Sequence, residues 1–196
     1  MAKKQKNHQM KIKMLVIGGS AGSLDVLMDV LPNLRKDIDF PIVIILHRKK
    51  DSESLLADLL SSRSPLPVNE IEDKQPILPG VIYLAPPDYH VLIEKNDTFS
   101  LDVSEKVNFS RPSIDVSFES AADAYPNSIA GLLLSGANAD GTEGLKCIQE
   151  KNGLVIVQQP GTADVAYMPQ QAINEIKVDA ILNKEEIASY INNLVK

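Results

Sequence analysis

The chain has one cysteine, three histidines and no apolar stretch long enough to cross a membrane, and each shortage removes a class of function. A single thiol, Cys147, closes no internal disulfide, so a reducing, cytoplasmic location is expected. His8, His47 and His90 are scattered and lack cysteine pairs at ligand spacing, so no metal and no cofactor are expected. Apolar runs stay well short of the roughly 20 residues a spanning helix needs, which leaves no membrane insertion. No apolar h-region follows the lysine-rich start, which argues against a secretory signal. Basic residues are scarce as well. There are 20 Lys and Arg against 26 Asp and Glu, and five of those lysines fall in the first thirteen residues. The remaining body therefore carries a charge of about −11, which excludes an extended nucleic-acid surface and leaves at most a local patch at Arg48-Lys49-Lys50. No internal repeat or low-complexity linker divides the chain.

What is present organises itself around residues 14–31, MLVIGGSAGSLDVLMDVL. An apolar run breaks at Gly18-Gly19, and Leu24, Leu27, Met28 and Leu31 then follow at helical spacing. The pattern predicts strand, tight turn and helix, with Ser20 at the apex beside backbone N–H groups at a helix N-terminus. Residues 41–46 form a second buried strand ending at His47. Asp51 or Ser52 is placed to cap the next helix, with Leu55, Leu56, Leu59 and Leu60 on one face. Two strands joined by such a helix form a right-handed parallel unit, so Ser20 and His47 are expected at the carboxyl ends of neighbouring strands.

Prolines then punctuate residues 65–87, and short strands at 80–85, 90–95 and 99–104 suggest a small antiparallel hairpin around Asn96-Asp97. Ser110-Arg111-Pro112-Ser113 opens a helix, with Pro112 in its first turn. A strand at 129–134 leads to Asp140, a helix runs from about Thr142 to Gly153, and a strand covers 154–158. A helix after Pro169, a strand at 180–182 and a closing helix capped by Asn183 with Glu186 complete the chain. The alternation predicts an α/β fold: a doubly wound, mostly parallel, Rossmann-like sheet with helices on both faces and a small antiparallel hairpin insertion. The expected organisation is a flexible basic leader at residues 1–12 and one domain at 13–196.

Ser20, His47 and Asp140 each follow a buried strand on the same predicted edge. A serine hydroxyl needs a base to take its proton, and the base needs a carboxylate to fix its tautomer. Gly18-Gly19-Ser20-Ala21-Gly22 also fits the G-x-S-x-G pattern of a strained nucleophile elbow. The same turn could serve as a phosphate loop. However, Ser20 and Ser23 occupy two glycine positions of the dinucleotide fingerprint, and the second strand lacks the acidic ribose partner. His90, at a strand start, is a further candidate to line the site.

Taken in order, IGGSAGS, SRPSID, SGANADGTEG and AYMPQQAI resemble the catalytic domain of CheB-type protein-glutamate methylesterases, from about Lys13 to the C-terminus. The resemblance implies Ser20 as nucleophile, His47 as base and Asp140 as orienting acid. It implies oxyanion donors at the Ala21 and Ala137 N–H groups, and Met168 as a site-lining residue. The implied reaction is hydrolysis of glutamate γ-methyl esters on methyl-accepting chemotaxis receptors, releasing methanol, with deamidation of certain glutamines. The alternative is a non-catalytic binding module of the same fold acting in receptor signalling. Several features differ from the family pattern, among them a Ser20-Ala21-Gly22-Ser23 turn where S-T-G-G is usual and Ala137 where a methionine is usual before the acid. The usual Q-H-M-P reads Leu46-His47-Arg48-Lys49, and only about a dozen residues precede the first strand, too few for a receiver domain. A separate regulatory receiver protein is therefore a candidate partner.

Overall fold

The computed structural model describes residues 10–48 and 53–195. Nine strands and six helices are found among them. Strands β1 (Met14–Gly19), β2 (Ile42–Leu46), β3 (Val68–Glu70), β4 (Ile82–Leu84), β7 (Ile129–Leu133), β8 (Leu154–Gln158) and β9 (Ala180–Leu182) form one parallel sheet, in the order β3-β4-β2-β1-β7-β8-β9. Strands β5 (His90–Ile93) and β6 (Phe99–Asp102) form the expected antiparallel hairpin, with His90 opposite Asp102.

The long strands read as unbroken apolar runs because both faces are covered. Leu15 and Ile17 of β1 point to one core, shared with α1 (Ser23–Val30), α2 (Glu53–Arg63) and α6 (Ile187–Asn192). Met14 and Val16 point to the other, shared with the hairpin, α3 (Ile114–Ala124), α4 (Thr142–Glu150) and α5 (Tyr167–Glu175). From β1 the chain winds outward to β2, then returns to place β7 on the opposite side of β1. The crevice at the carboxyl ends of β1 and β7 is thus the switch point where such sheets bind ligands.

Several elements differ from the sequence reading. In α1 the buried face is Ser23, Val26, Leu27 and Val30, and Leu24 is 36% exposed. The Ser23 hydroxyl donates to the Ser135 carbonyl at 2.7 Å, which fixes the rotation of the helix. Likewise Leu55 and Leu59 of α2 are exposed while Leu60 is buried. Helix α3 starts after Pro112, with Ser113 as its N-cap, and α5 begins at Tyr167, so Pro169 sits in its first turn, where no N–H is needed. Strand β3 went unread: three residues flanked by prolines carry little periodic signal. Ile12, assigned to the leader, is buried against the core and Met10 packs on it. Residues 1–9 and the Asp51 or Ser52 cap lie outside the described residues. The Asn183–Glu186 capping box is present as expected.

Candidate active site

Ser20 follows β1 in a turn whose left-handed residue is Gly22, with φ of +80°. Ser20 itself is not among the positive-φ residues, so the turn is not the strained elbow that the G-x-S-x-G pattern suggested. A side chain at Gly22 would also place Cβ 2.6 Å from Asp164 Cβ and 2.8 Å from Ser135 Oγ. Ser135 ties the turn to the loop after β7. Its carbonyl accepts from Ser20 N at 2.9 Å, and its hydroxyl donates to Ala21 O at 2.6 Å.

His47 leaves the end of β2, where its N–H donates to Gly19 O at 3.2 Å, so Ser20 and His47 extend from paired strand ends. Both line a cavity of about 300 Å³ whose other walls include Leu24, Leu55 and Leu59. Leucines that keep helical spacing in α1 and α2 therefore form an apolar wall beside Ser20. Among the described residues the Ser20 hydroxyl makes no hydrogen bond to His47.

Asp140, fully buried after β7, accepts from His47 Nε2 at 2.7 Å. Four further donors converge on it: Ile114 N at 2.7 Å, Ser113 Oγ at 2.9 Å, Asp115 N at 3.0 Å and Asn108 Nδ2 at 3.3 Å. These place the carboxylate on the N-terminus of α3, where the helix dipole favours negative charge. Burial alone would raise its pKa, but the bond to His47 and the backbone donors of Ile114 and Asp115 outweigh it and hold it down to about 2. An ionised carboxylate only accepts, so His47 Nε2 carries the proton and Nδ1 is left as the basic nitrogen. Ser110 Oγ stands 3.4 Å from that Nδ1.

Asp115 was not singled out from the sequence, although it belongs to the SRPSID segment. It is buried, and its Oδ1 accepts from Gly141 N and Gly144 N, both at 2.8 Å, at the start of α4. Burial, together with the neighbouring Asp140, pushes its pKa up to about 7 despite those donors. Asn108 Nδ2 bridges the two carboxylates. Nothing in local periodicity marks Asn108, Ser113 or Asp115, because their roles arise only when two distant loops meet.

The remaining candidates fall in different places. Ala21 and Ala137 are exposed, and among the described residues neither backbone N–H has a hydrogen-bond partner. Met168 is fully buried; a Cβ on Gly136 would meet its Cε at 2.5 Å and Ser20 Cβ at 3.1 Å, so Met168 backs the loop against which Ser20 rests. His90 is buried away from the cavity. Its Nδ1 accepts from Ser113 N at 3.2 Å and its Nε2 donates to Glu105 O at 2.9 Å, so it reaches Asp140 only through Ser113. No cluster of three or more metal-ligating side chains exists among the described residues.

A family model described as CheB methylesterase matches residues 15–191, which takes in every element of the parallel sheet apart from the first residue of β1. The chain belongs to the CheB methylesterase family. A relative from Leptospira interrogans, provisionally named protein-glutamate methylesterase/protein-glutamine glutaminase, is 45% identical over 179 residues, covering 91% of this chain and 93% of the relative. A Thermotoga maritima protein-glutamate methylesterase/protein-glutamine glutaminase is 34% identical, and this chain, 93% covered, spans about half (54%) of its length. The crystal structure of the Thermotoga maritima CheB methylesterase catalytic domain superposes with a TM-score of 0.90 at 35% identity, covering 94% of this chain and 99% of that one. Seven parallel strands with a separate two-stranded hairpin are thus the CheB catalytic fold.

Proposed function

We infer that this CheB-family chain is a serine carboxylic-ester hydrolase that demethylates glutamate γ-methyl esters of a protein, with Ser20 as nucleophile, His47 as base and Asp140 as the acid that orients it. The observation that carries the reading is the buried Asp140 carboxylate on His47 Nε2, which leaves Nδ1 as the basic nitrogen of a histidine that lines a cavity with Ser20. When an ester enters, His47 Nδ1 takes the Ser20 proton and Oγ attacks the carbonyl carbon. The Ala21 and Ala137 N–H groups receive the oxyanion, consistent with their lack of other partners. The tetrahedral adduct collapses, His47 protonates the departing methoxide, and methanol leaves an acyl-Ser20. Water, deprotonated by His47, then attacks the acyl carbon, releasing the glutamate carboxylate and restoring the hydroxyl. With a glutamine substrate the leaving group is ammonia, and the second half is the same.

The protein substrate in this reading is a methyl-accepting chemotaxis receptor, with a separate receiver protein as candidate regulator and the cytoplasm as the place of action. Among the described residues no helix is long and apolar enough to cross a membrane. The test is methanol release from a methylated receptor fragment. The native chain releases methanol, and Ser20→Ala loses on the order of 10³-fold or more while keeping its fold. Turnover by Ser20→Ala near that of the native chain overturns the assignment.

A further inference from the structure

Among the described residues, the cavity shared by Ser20 and His47 is walled by leucine apart from Arg48: Leu46 at the end of β2, Leu24 in α1, and Leu55, Leu56 and Leu59 in α2. Leu46 is buried and Leu56 packs on the core, so those two are committed to the fold. Leu24, Leu55 and Leu59 belong to neither core. They are 36%, 77% and 39% exposed, and Leu55 and Leu59 stand one turn apart on the same face of α2. Single exposed leucines are ordinary, but several that meet around a nucleophile form an apolar patch, and such patches mark contact sites.

The occupant follows from the company these leucines keep. Because Ser20 and His47 line the same cavity, whatever brings an ester to Ser20 also brings its neighbouring atoms against the leucines. A glutamyl ester is a short side chain, so the backbone that carries it stays close to them. At about 300 Å³ the cavity is at the small end of ligand pockets, roughly 300–1,000 Å³, which suits a side chain or two and not a whole helix. His47 also lines a second cavity, whose walls include Phe109, 97% exposed. Exposed apolar groups in both cavities that meet at the base fit a protein surface better than a free small ester.

We propose that Leu24, Leu55 and Leu59 form an apolar subsite that selects protein substrates carrying a leucine-sized apolar side chain one helical turn from the scissile glutamyl ester. Residues one turn apart on a helix are neighbours on its surface, so that side chain enters the cavity beside the ester. The proposal rests on the esterase reading for the meaning of the site, while its binding arm does not depend on turnover.

The experiment uses synthetic alanine-based helical peptides bearing one glutamate γ-methyl ester. One has leucine a turn before the ester, one has leucine a turn after it, and one keeps alanine at both places. Methanol release by the native chain is expected to favour a leucine peptide over the alanine peptide roughly tenfold in kcat/KM, the discrimination that apolar pockets provide. The preference persists in added salt, as an ionic contact would not, and falls to about unity in Leu55→Ser/Leu59→Ser. Leu55→Ser alone, at the most exposed of the three, reduces it in part, so the conclusion does not hang on the double variant folding. Leu78→Ser, at an exposed leucine outside the cavity, retains it. Equal kcat/KM for all three peptides, a preference that survives the α2 substitutions, or one lost equally in Leu78→Ser overturns the subsite. A native chain that sediments as a dimer while Leu55→Ser/Leu59→Ser sediments as a monomer assigns the leucines to a second copy and also overturns it.

In parallel, fluorescence anisotropy of the labelled peptides with Ser20→Ala measures binding alone. If the native chain releases no methanol from any peptide, the esterase reading fails. A leucine preference in anisotropy that disappears in Ser20→Ala/Leu55→Ser/Leu59→Ser still supports the subsite, and equal binding of the three peptides overturns it.

Discussion

Asp115 and Asp140 stand on the N-termini of each other's helices. Asp140, which leads into α4, takes the backbone N–H groups of Ile114 and Asp115 at the start of α3. Asp115, in the first turn of α3, takes those of Gly141 and Gly144 at the start of α4. The exchange locks two helices together at the point where His47 is held. The two carboxyls nonetheless part in acidity: burial and the nearby Asp140 push Asp115 toward neutrality despite its donors, whereas His47 and the backbone donors hold Asp140 ionised against its burial.

That divergence sets the sign of a pH effect. The folded chain holds a proton on Asp115 up to about pH 7, whereas the unfolded chain releases it in the ordinary carboxylate range. Between those limits the native state binds more protons, so stability from this group is present at low pH and declines as pH rises through about 7. Asp115→Asn removes the decline. The melting temperature of the variant relative to the native chain is expected to increase from pH 5 to pH 8, and a difference that stays constant over that range refutes the assignment.

Asp140 acts in the opposite direction. Its depressed pKa contributes stability above the ordinary carboxylate range, lost as pH falls toward about 2. Asp140→Asn removes the carboxylate that fixes the His47 tautomer, so turnover drops on the order of 10³-fold or more while substrate binding persists. Steady-state methanol release checks the first point, and peptide anisotropy the second.

Ser113 links the cap of α3 to Asp140. Its hydroxyl donates to Asp140 Oδ1 at 2.9 Å and lies 3.4 Å from Val116 N. Ser113→Ala is expected to lower stability by about 1–3 kcal/mol, as lost caps and charged hydrogen bonds do. Urea denaturation gives the number, and a change under about 0.5 kcal/mol, the size of an ordinary surface substitution, contradicts it.

Ser110 Oγ is 3.4 Å from His47 Nδ1, while Ser20 lines a cavity with His47 without a hydrogen bond to it. A fluorophosphonate probe should label Ser20, as read by peptide mass mapping, and labelling should survive Ser110→Ala. Label on Ser110 in the native chain would reassign the nucleophile.

Gly22 makes the turn possible. With φ of +80° and no room for a Cβ beside Asp164, Gly22→Ala should destabilise by about 1–3 kcal/mol and displace Ser20. Loss of melting temperature and of turnover together is the expected outcome; retention of both is not compatible with the packing.

The sequence by itself determined the layered α/β plan, because strands buried on both faces must be apolar throughout and helices must show their period. It also placed Ser20, His47 and Asp140 on one edge, since a residue that follows a parallel strand has nowhere else to go. Four ordered motifs were enough to indicate the family. What periodicity could not decide was which leucines face inward. Leu24, Leu55 and Leu59 keep helical spacing but wall the cavity beside Ser20, because apolar side chains serve a core and a groove equally well. Asp115, Asn108, Ser113 and Arg48 were likewise settled only in three dimensions. Their partners lie about 20 to 40 residues away in sequence, and their chemistry depends on burial and on the direction of a helix end, neither of which a linear pattern carries.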